Sequence, residues 1–171
     1  MDNSDPRQRS YLPITRADLA RLLALSQQDR RQFFARDPGW APYYADRILG
    51  TALCQGAAWH YVRGDVGIND FDVYTFYAAN PERTWYAKRI ARLDFGSPKF
   101  GCSGVSGRGY IGRRVDLLGR ALNVPVGADL TESLRGYLKS PKTGTSRELG
   151  KKAVVLLEPR MGEIVWPVDG I

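Results

Sequence analysis

Asp70-Phe71-Asp72-Val73-Tyr74-Thr75-Phe76-Tyr77 decides the fold of this 171-residue chain. Val73, Tyr74, Phe76 and Tyr77 favour an extended strand, and successive side chains of a strand point to opposite faces. Asp70 and Asp72 therefore share one face, while Phe71 and Val73 enter a core on the other. Two carboxylates on so short a backbone repel each other unless water or a cation neutralises them. Forty-four residues after Asp72, Arg113-Arg114-Val115-Asp116-Leu117-Leu118 repeats the pattern of an acid on the alternate face of an apolar strand. Pairing of the two strands would make three carboxylates converge, the hard-oxygen environment that Mg²⁺ or Mn²⁺ takes. An Asp-x-Asp opening a strand is, alone, also the pattern of a solvated face or a turn.

An upstream glycine adds to the acids. Gly56, fourteen residues before Asp70, precedes Ala57-Ala58-Trp59-His60-Tyr61-Val62, which reads as a short helix. The amino end of such a helix aims free backbone amides at an anion. The turn Gly64-Asp65-Val66-Gly67-Ile68-Asn69 then leads into the Asp70 strand.

These pieces in this order, Gly56-Ala57-Ala58, Asp70-Phe71-Asp72 and Val115-Asp116-Leu117, resemble the DNA polymerase β-like nucleotidyltransferase superfamily. The likeness is greatest to the branch of tRNA nucleotidyltransferases and abortive-infection or toxin-type enzymes, and it covers about residues 47–120. It implies an α+β fold, a nucleotidyltransferase-like mixed sheet flanked by helices. It also implies that Asp70, Asp72 and Asp116 are catalytic and hold Mg²⁺ or Mn²⁺, and that the Gly56 and Ala57 amides meet the phosphates of a nucleoside triphosphate. Arg113, Arg114 and Lys151 are expected to help hold that triphosphate. The implied reaction transfers a nucleoside monophosphate to a hydroxyl acceptor that these residues do not identify. The family usually has Gly-Gly or Gly-Ser where this chain has Gly56-Ala57; alanine keeps the amide donor and loses the serine hydroxyl.

The composition, 43% hydrophobic, suits one compact domain, expected over residues 14–171 behind a flexible polar leader at 1–13. No apolar run is long enough to span a membrane and the start lacks a secretory segment, so a cytoplasmic protein without a membrane partner is expected. Cys54 and Cys102 have no zinc or redox spacing and read as free thiols. With His60 as the only histidine, a histidine-centred metal cluster is excluded; its expected role is packing or a surface contact. Between Asn80 and Arg114, eight basic residues stand against Glu82 and Asp94, so +6 of the chain's +7 formal charge lies between the acid-bearing strands. Such a field favours a polyanion, either the triphosphate or RNA.

Along the rest of the chain, Thr15-x-x-Asp18 caps a helix through Leu19, Leu22, Leu23 and Leu25 that ends at Asp37-Pro38-Gly39. Pro42 opens an expected second helix carrying Tyr44, Ile48, Leu49 and Leu53. The stretch from Asn80 to Gly112 reads as the least regular part of the chain, its glycine-rich portion from Gly96 to Gly112 as a loop or wide hairpin connection, and Gly104-Val105-Ser106-Gly107-Arg108-Gly109 within it is a weak phosphate-loop pattern. Asp129 or Thr131 starts a helix through Leu130, Leu134 and Leu138. Thr145 or Ser146 caps an expected final helix, Arg147 to Glu158, whose Ser146, Arg147, Lys151 and Lys152 would reach nucleotide phosphates. Ile164-Val165-Trp166-Pro167 reads as an edge strand or a docking tail.

Two other readings belong to different classes. One is a non-catalytic nucleotide- or nucleic-acid-binding protein on the same fold, using the basic segment and stacking bases on Trp85, Tyr86, Phe95, Phe100 and Tyr110. The other is an antitoxin or assembly subunit that offers its amino-terminal helices to a protein partner.

Overall fold

In chain order the computed structural model has α1 (Arg16–Arg36), α2 (Ala41–Tyr44), β1 (Ile48–Cys54), α3 (Gln55–Arg63), β2 (Phe71–Ala78), β3 (Ile90–Asp94), β4 (Arg114–Leu122), α4 (Leu130–Lys139), α5 (Gly144–Gly150), β5 (Ala153–Glu158) and β6 (Ile164–Trp166). It describes residues 9–85, 90–95, 100 and 113–169, with Ile90 and Arg92 described by their backbone alone. The strands form one open mixed sheet in the order β3-β4-β2-β1-β5-β6. All neighbours are antiparallel except β2 and β4, which run parallel.

Side-chain alternation divides the core into layers. On one face Leu53, Phe71, Val73, Val115, Leu117, Val155 and Leu157 pack against Leu19 and Leu22 of α1 and Ala57 and Ala58 of α3. On the other, Ala52, Cys54, Tyr74, Phe76, Val154 and Leu156 meet Leu130, Leu134 and Leu138 of α4 and Leu149 of α5. Phe33, Trp40, Tyr44, Tyr77 and Trp85 form a third, aromatic cluster. Asp72 and Asp116 have the parity of the α4 and α5 face.

Local signals explain most boundaries. The Thr15 hydroxyl accepts from the Asp18 amide while the Asp18 carboxylate accepts from the Thr15 amide at 2.7 Å, the reciprocal capping box at the start of α1. Asp129 caps α4 by accepting from the Glu132 amide at 3.0 Å. Ile164–Trp166 is the outer strand beside β5.

Elsewhere the structure corrects the expectation. The second helix ends at Tyr44 after a single turn, and Ile48–Cys54 is a strand. The expected final helix divides into α5, capped by Thr143 rather than Thr145 or Ser146, and strand β5 from Ala153 to Glu158. Both strands are interior to the sheet and buried on both faces, so they read as unbroken apolar runs without a diagnostic period. Within the stretch expected to be irregular, Ile90–Asp94 pairs antiparallel with β4. Part of the expected leader is fastened: Ser10 and Ile68 exchange backbone hydrogen bonds of 2.9 and 2.7 Å. Residues 1–8 and the 104–109 glycine pattern lie outside the described residues. Among the described residues no helix is long and apolar enough to cross a membrane.

Gly119 of β4 is needed for a close approach. A Cβ there would stand 2.7 Å from Trp85 Cζ2. The indole has little room to retreat, with four aromatic rings centred 4.5–6.0 Å away and its Nε1–H donating to the Gly119 carbonyl at 3.2 Å. Gly119→Ala is expected to lower the unfolding free energy by about 1–3 kcal/mol in urea titration. A loss below about 0.5 kcal/mol would mean that the indole gives way freely.

Candidate active site

The β2/β4 register sets Asp72 directly beside Asp116, and neighbouring strands lie only about 4.8 Å apart. Asp70, one residue before β2, has the parity of Asp72. The cross-sheet row continues on both sides: Arg92 is the backbone partner of Asp116, and Cys54 is the partner of Asp72.

Arg114 neutralises part of this charge. Two residues before Asp116 and of the same parity, its Nε lies 2.9 Å from Asp116 Oδ1. Its Nη2 donates to Asp116 Oδ2 at 3.0 Å and to Asp70 Oδ2 at 3.2 Å. Partial desolvation lowers the affinity of the guanidinium for its proton, but the Asp116 and Asp70 charges outweigh this and hold it above the ordinary arginine value.

Asp72 is worse compensated. Burial, then the charges of Asp70 and Asp116, push its carboxyl from the ordinary 3.8 up to about 7, against the opposing pull of Arg114 and Lys152. Its neighbours on the row and face are neutral: burial and then Asp72 push the Cys54 thiol well up. Burial, then Cys54 and Asp72, likewise push the Tyr74 hydroxyl above its usual range, with Arg120 opposing. Arg120 itself donates to the Thr145 hydroxyl of α5.

The glycine turn lies at the end of β1. Cys54, in extended conformation, is the N-cap of α3 and makes no side-chain capping bond. Gln55 has a φ of 63°, a left-handed conformation uncommon outside glycine. A Cβ on Gly56 would lie 3.9 Å from Lys152 Nζ. Because Lys152 also acts on Asp72, its ammonium connects the amino end of α3 with the acids. Ala57 is buried in the core below α3, so this position offers the site its amide.

The structure thus groups Asp70, Asp72, Asp116 and Arg114, with Lys152 linking them to Gly56. Lys151 stands elsewhere: its Nζ is 2.7 Å from Glu148 Oε1 on the exposed side of α5. Ser146 is buried in its capping box with Thr143, and Arg147 is exposed. Arg113 lies one residue before β4, its carbonyl accepting from the Phe95 amide at 3.0 Å. Lys152 precedes the apolar run 153–157; reading that run as a strand bridged to Gln55 would have placed it beside Gly56.

The only histidine is a fastener. His60 Nδ1 accepts from the Gly67 amide at 2.9 Å, which leaves Nε2–H to donate to the Leu12 carbonyl at 3.0 Å. The imidazole therefore ties α3 to the turn that delivers Asp70. Part of the basic segment is also structural: Arg83 donates to the Gly39 carbonyl at 2.8 Å and covers the Trp40 ring at 4.1 Å. Trp85, Phe95 and Phe100, expected to stack bases, are instead buried in the core. Tyr86, Tyr110, Lys88, Arg89, Lys99 and Arg108 lie outside the described residues.

Among the described residues, no three His, Cys, Asp or Glu side chains are grouped so as to hold a metal ion; the Arg114 guanidinium bridges Asp70 and Asp116. The donor chemistry nevertheless fits a hard divalent cation, because the carboxylates are the ligands it prefers and Asp72 carries charge its surroundings disfavour. No family model, no curated protein and no solved structure matches the chain.

The raised Asp72 carboxyl sets a pH dependence. Between about pH 4 and 7 the folded state retains a proton that the unfolded state has released, so this group's contribution to stability falls as pH rises and levels off above 7. Asp72→Asn removes that loss. The variant should unfold at higher urea than wild type at pH 8, with the gap closing towards pH 5. A difference independent of pH would show that Asp72 is solvated as an ordinary carboxylate.

Proposed function

We propose that this chain is a metal-dependent nucleotidyltransferase that transfers a nucleoside monophosphate from a triphosphate to a hydroxyl acceptor. The observation that carries the reading is the β2/β4 register, which sets Asp72 beside Asp116 with Asp70 on the same side. The uncapped amino end of α3 at Gly56 and the nearby Lys152 ammonium support it.

Asp70, Asp72 and Asp116 would hold Mg²⁺ or Mn²⁺. When bound, such an ion polarises the phosphate oxygens and stabilises the charge that develops on the transferring group. The chain's own groups then do the positioning that dominates phosphoryl-type transfer. Amides at Gly56 and Ala57 and the Lys152 ammonium would take the triphosphate tail. The acceptor oxygen forms its bond to the α-phosphorus in line with departure of pyrophosphate, and its proton passes to a carboxylate oxygen of Asp116.

A non-catalytic nucleotide binder on the same fold is the second reading, favoured by the Arg114 bridge across two of the three acids. Both readings differ in their metal requirement. A nucleoside triphosphate with Mg²⁺ is expected to raise the melting temperature of wild type, because a ligand of the folded state alone stabilises it. Asp70→Asn/Asp72→Asn should remain folded and lose the shift. Stabilisation by triphosphate without any metal dependence would support the binder, and none with any of the four triphosphates would sink both.

The two adjacent lysines separate the site from the surface. Lys152→Ala should weaken triphosphate binding about tenfold in calorimetric titration, the worth of one charge-assisted phosphate contact. Lys151→Ala should bind like wild type. The reverse order would relocate the phosphate site to the outer side of α5.

A further inference from the structure

We infer that Arg114 is the resting counter-cation of the acid site and gives way to the divalent ion; this rests on the metal-dependent reading above. Its guanidinium donates to Oδ2 of Asp116 and Oδ2 of Asp70, and its Nε lies 2.9 Å from Asp116 Oδ1, so it occupies the space beside carboxylate oxygens that a divalent ion would take. Where ion and guanidinium compete for the same lone pairs and the same space, the doubly charged ion displaces the guanidinium. Loading is therefore an exchange, in which the ion enters as Arg114 leaves.

Two features make the exchange feasible. The Arg114 side chain is 45% exposed, so it has solvent to move into, and the pairs it breaks are of the partly screened kind that cost little. Asp72, set directly beside Asp116 by the β2/β4 register, adds a further carboxylate for the doubly charged ion. Once released, Arg114 remains tethered at the start of β4 as a planar donor suited to phosphate. Its expected role in holding the triphosphate and its observed contact with the acids then belong to successive states. Arg114 is in this sense a positioning residue: it keeps Asp70 and Asp116 aligned until the cation arrives.

The test is binding of Mn²⁺ alone, followed by the paramagnetic resonance of the free ion, to wild type, Arg114→Ala and Arg114→Lys. The alanine variant is expected to bind about tenfold more tightly than wild type, the worth of a partly exposed pair with several contacts. The lysine variant, which keeps the charge but not the fork, should fall between them. Should the alanine variant not fold, the wild-type Arg114 Nε–H resonance, assigned by its loss in the lysine variant, reports the same event. Mg²⁺ should move it towards the position of a solvated guanidinium. Equal or weaker Mn²⁺ binding by the alanine variant, or an Nε–H resonance unmoved by saturating Mg²⁺, overturns the exchange and leaves the transferase reading standing. If neither wild type nor the variants bind Mn²⁺ up to millimolar concentration, both inferences fall.

Discussion

Parallel pairing of β2 with β4 imposes the central constraint of this molecule, because it forces Asp72 and Asp116 into adjacent positions on one row. A slip of one residue in either strand would turn that strand's acid into the core face and its apolar pair, Phe71 and Val73 or Val115 and Leu117, out of it. Hydrophobic burial on one face therefore enforces electrostatic repulsion on the other. Burial first, and this repulsion second, push the Asp72 carboxyl up, and Arg114 and Lys152 oppose the rise. Charges held together against their own preference make this row the candidate functional site.

The same register is read a second time on the opposite face. Thr75, Thr51 and Glu158 are partners across β2, β1 and β5. Arg30 of α1 lies above this row, donating to the two threonine hydroxyls at 3.3 and 3.4 Å and pairing with Glu158 at 3.2 Å. Thr51 donates to the same carboxylate oxygen at 2.8 Å, and Gln27 donates to the other at 3.1 Å. A polar row this enclosed is favourable only while its members meet, so a shifted strand would leave a charge beneath α1 without partners. This polar row within the apolar layer under α1 thus holds β1, β2 and β5 in alignment, including the β1/β2 register that sets Cys54 beside Asp72.

The acids could be read in the sequence because they interrupt apolar strands with a period of two, a pattern few other arrangements share. Strands β1 and β5 could not, because burial on both faces removes the period that separates strand from helix. The second error had a functional consequence. As part of a helix, Lys151 and Lys152 look alike; at the junction of α5 with β5, one faces Glu148 and the other faces Gly56. The stacking role imagined for Trp85, Phe95 and Phe100 failed for a related reason, since composition does not tell an aromatic that lines a surface from one that fills a core. Arg114 is expected from the sequence to hold phosphate, but its contacts with Asp70 and Asp116 depend on the β4 register and not on spacing.

Asp72 is the most central of the three acids. It lies between Cys54 and Asp116 on the row, with β1 on one side and β4 on the other, so like charges act on it from Asp116 beside it and from Asp70 on its own strand. Arg114 serves the outer acids, while Lys152 approaches from the α3 side. Within the proposed reading this divides the site into a cation side at Asp70 and Asp116 and an anion side at Gly56 and Lys152, with Asp72 bordering both. A ligand carrying only positive charge relieves the acids and repels Lys152; one carrying only negative charge does the reverse. A metal bound to a polyphosphate satisfies both sides at once, and for that ligand the destabilised Asp72 becomes a source of affinity.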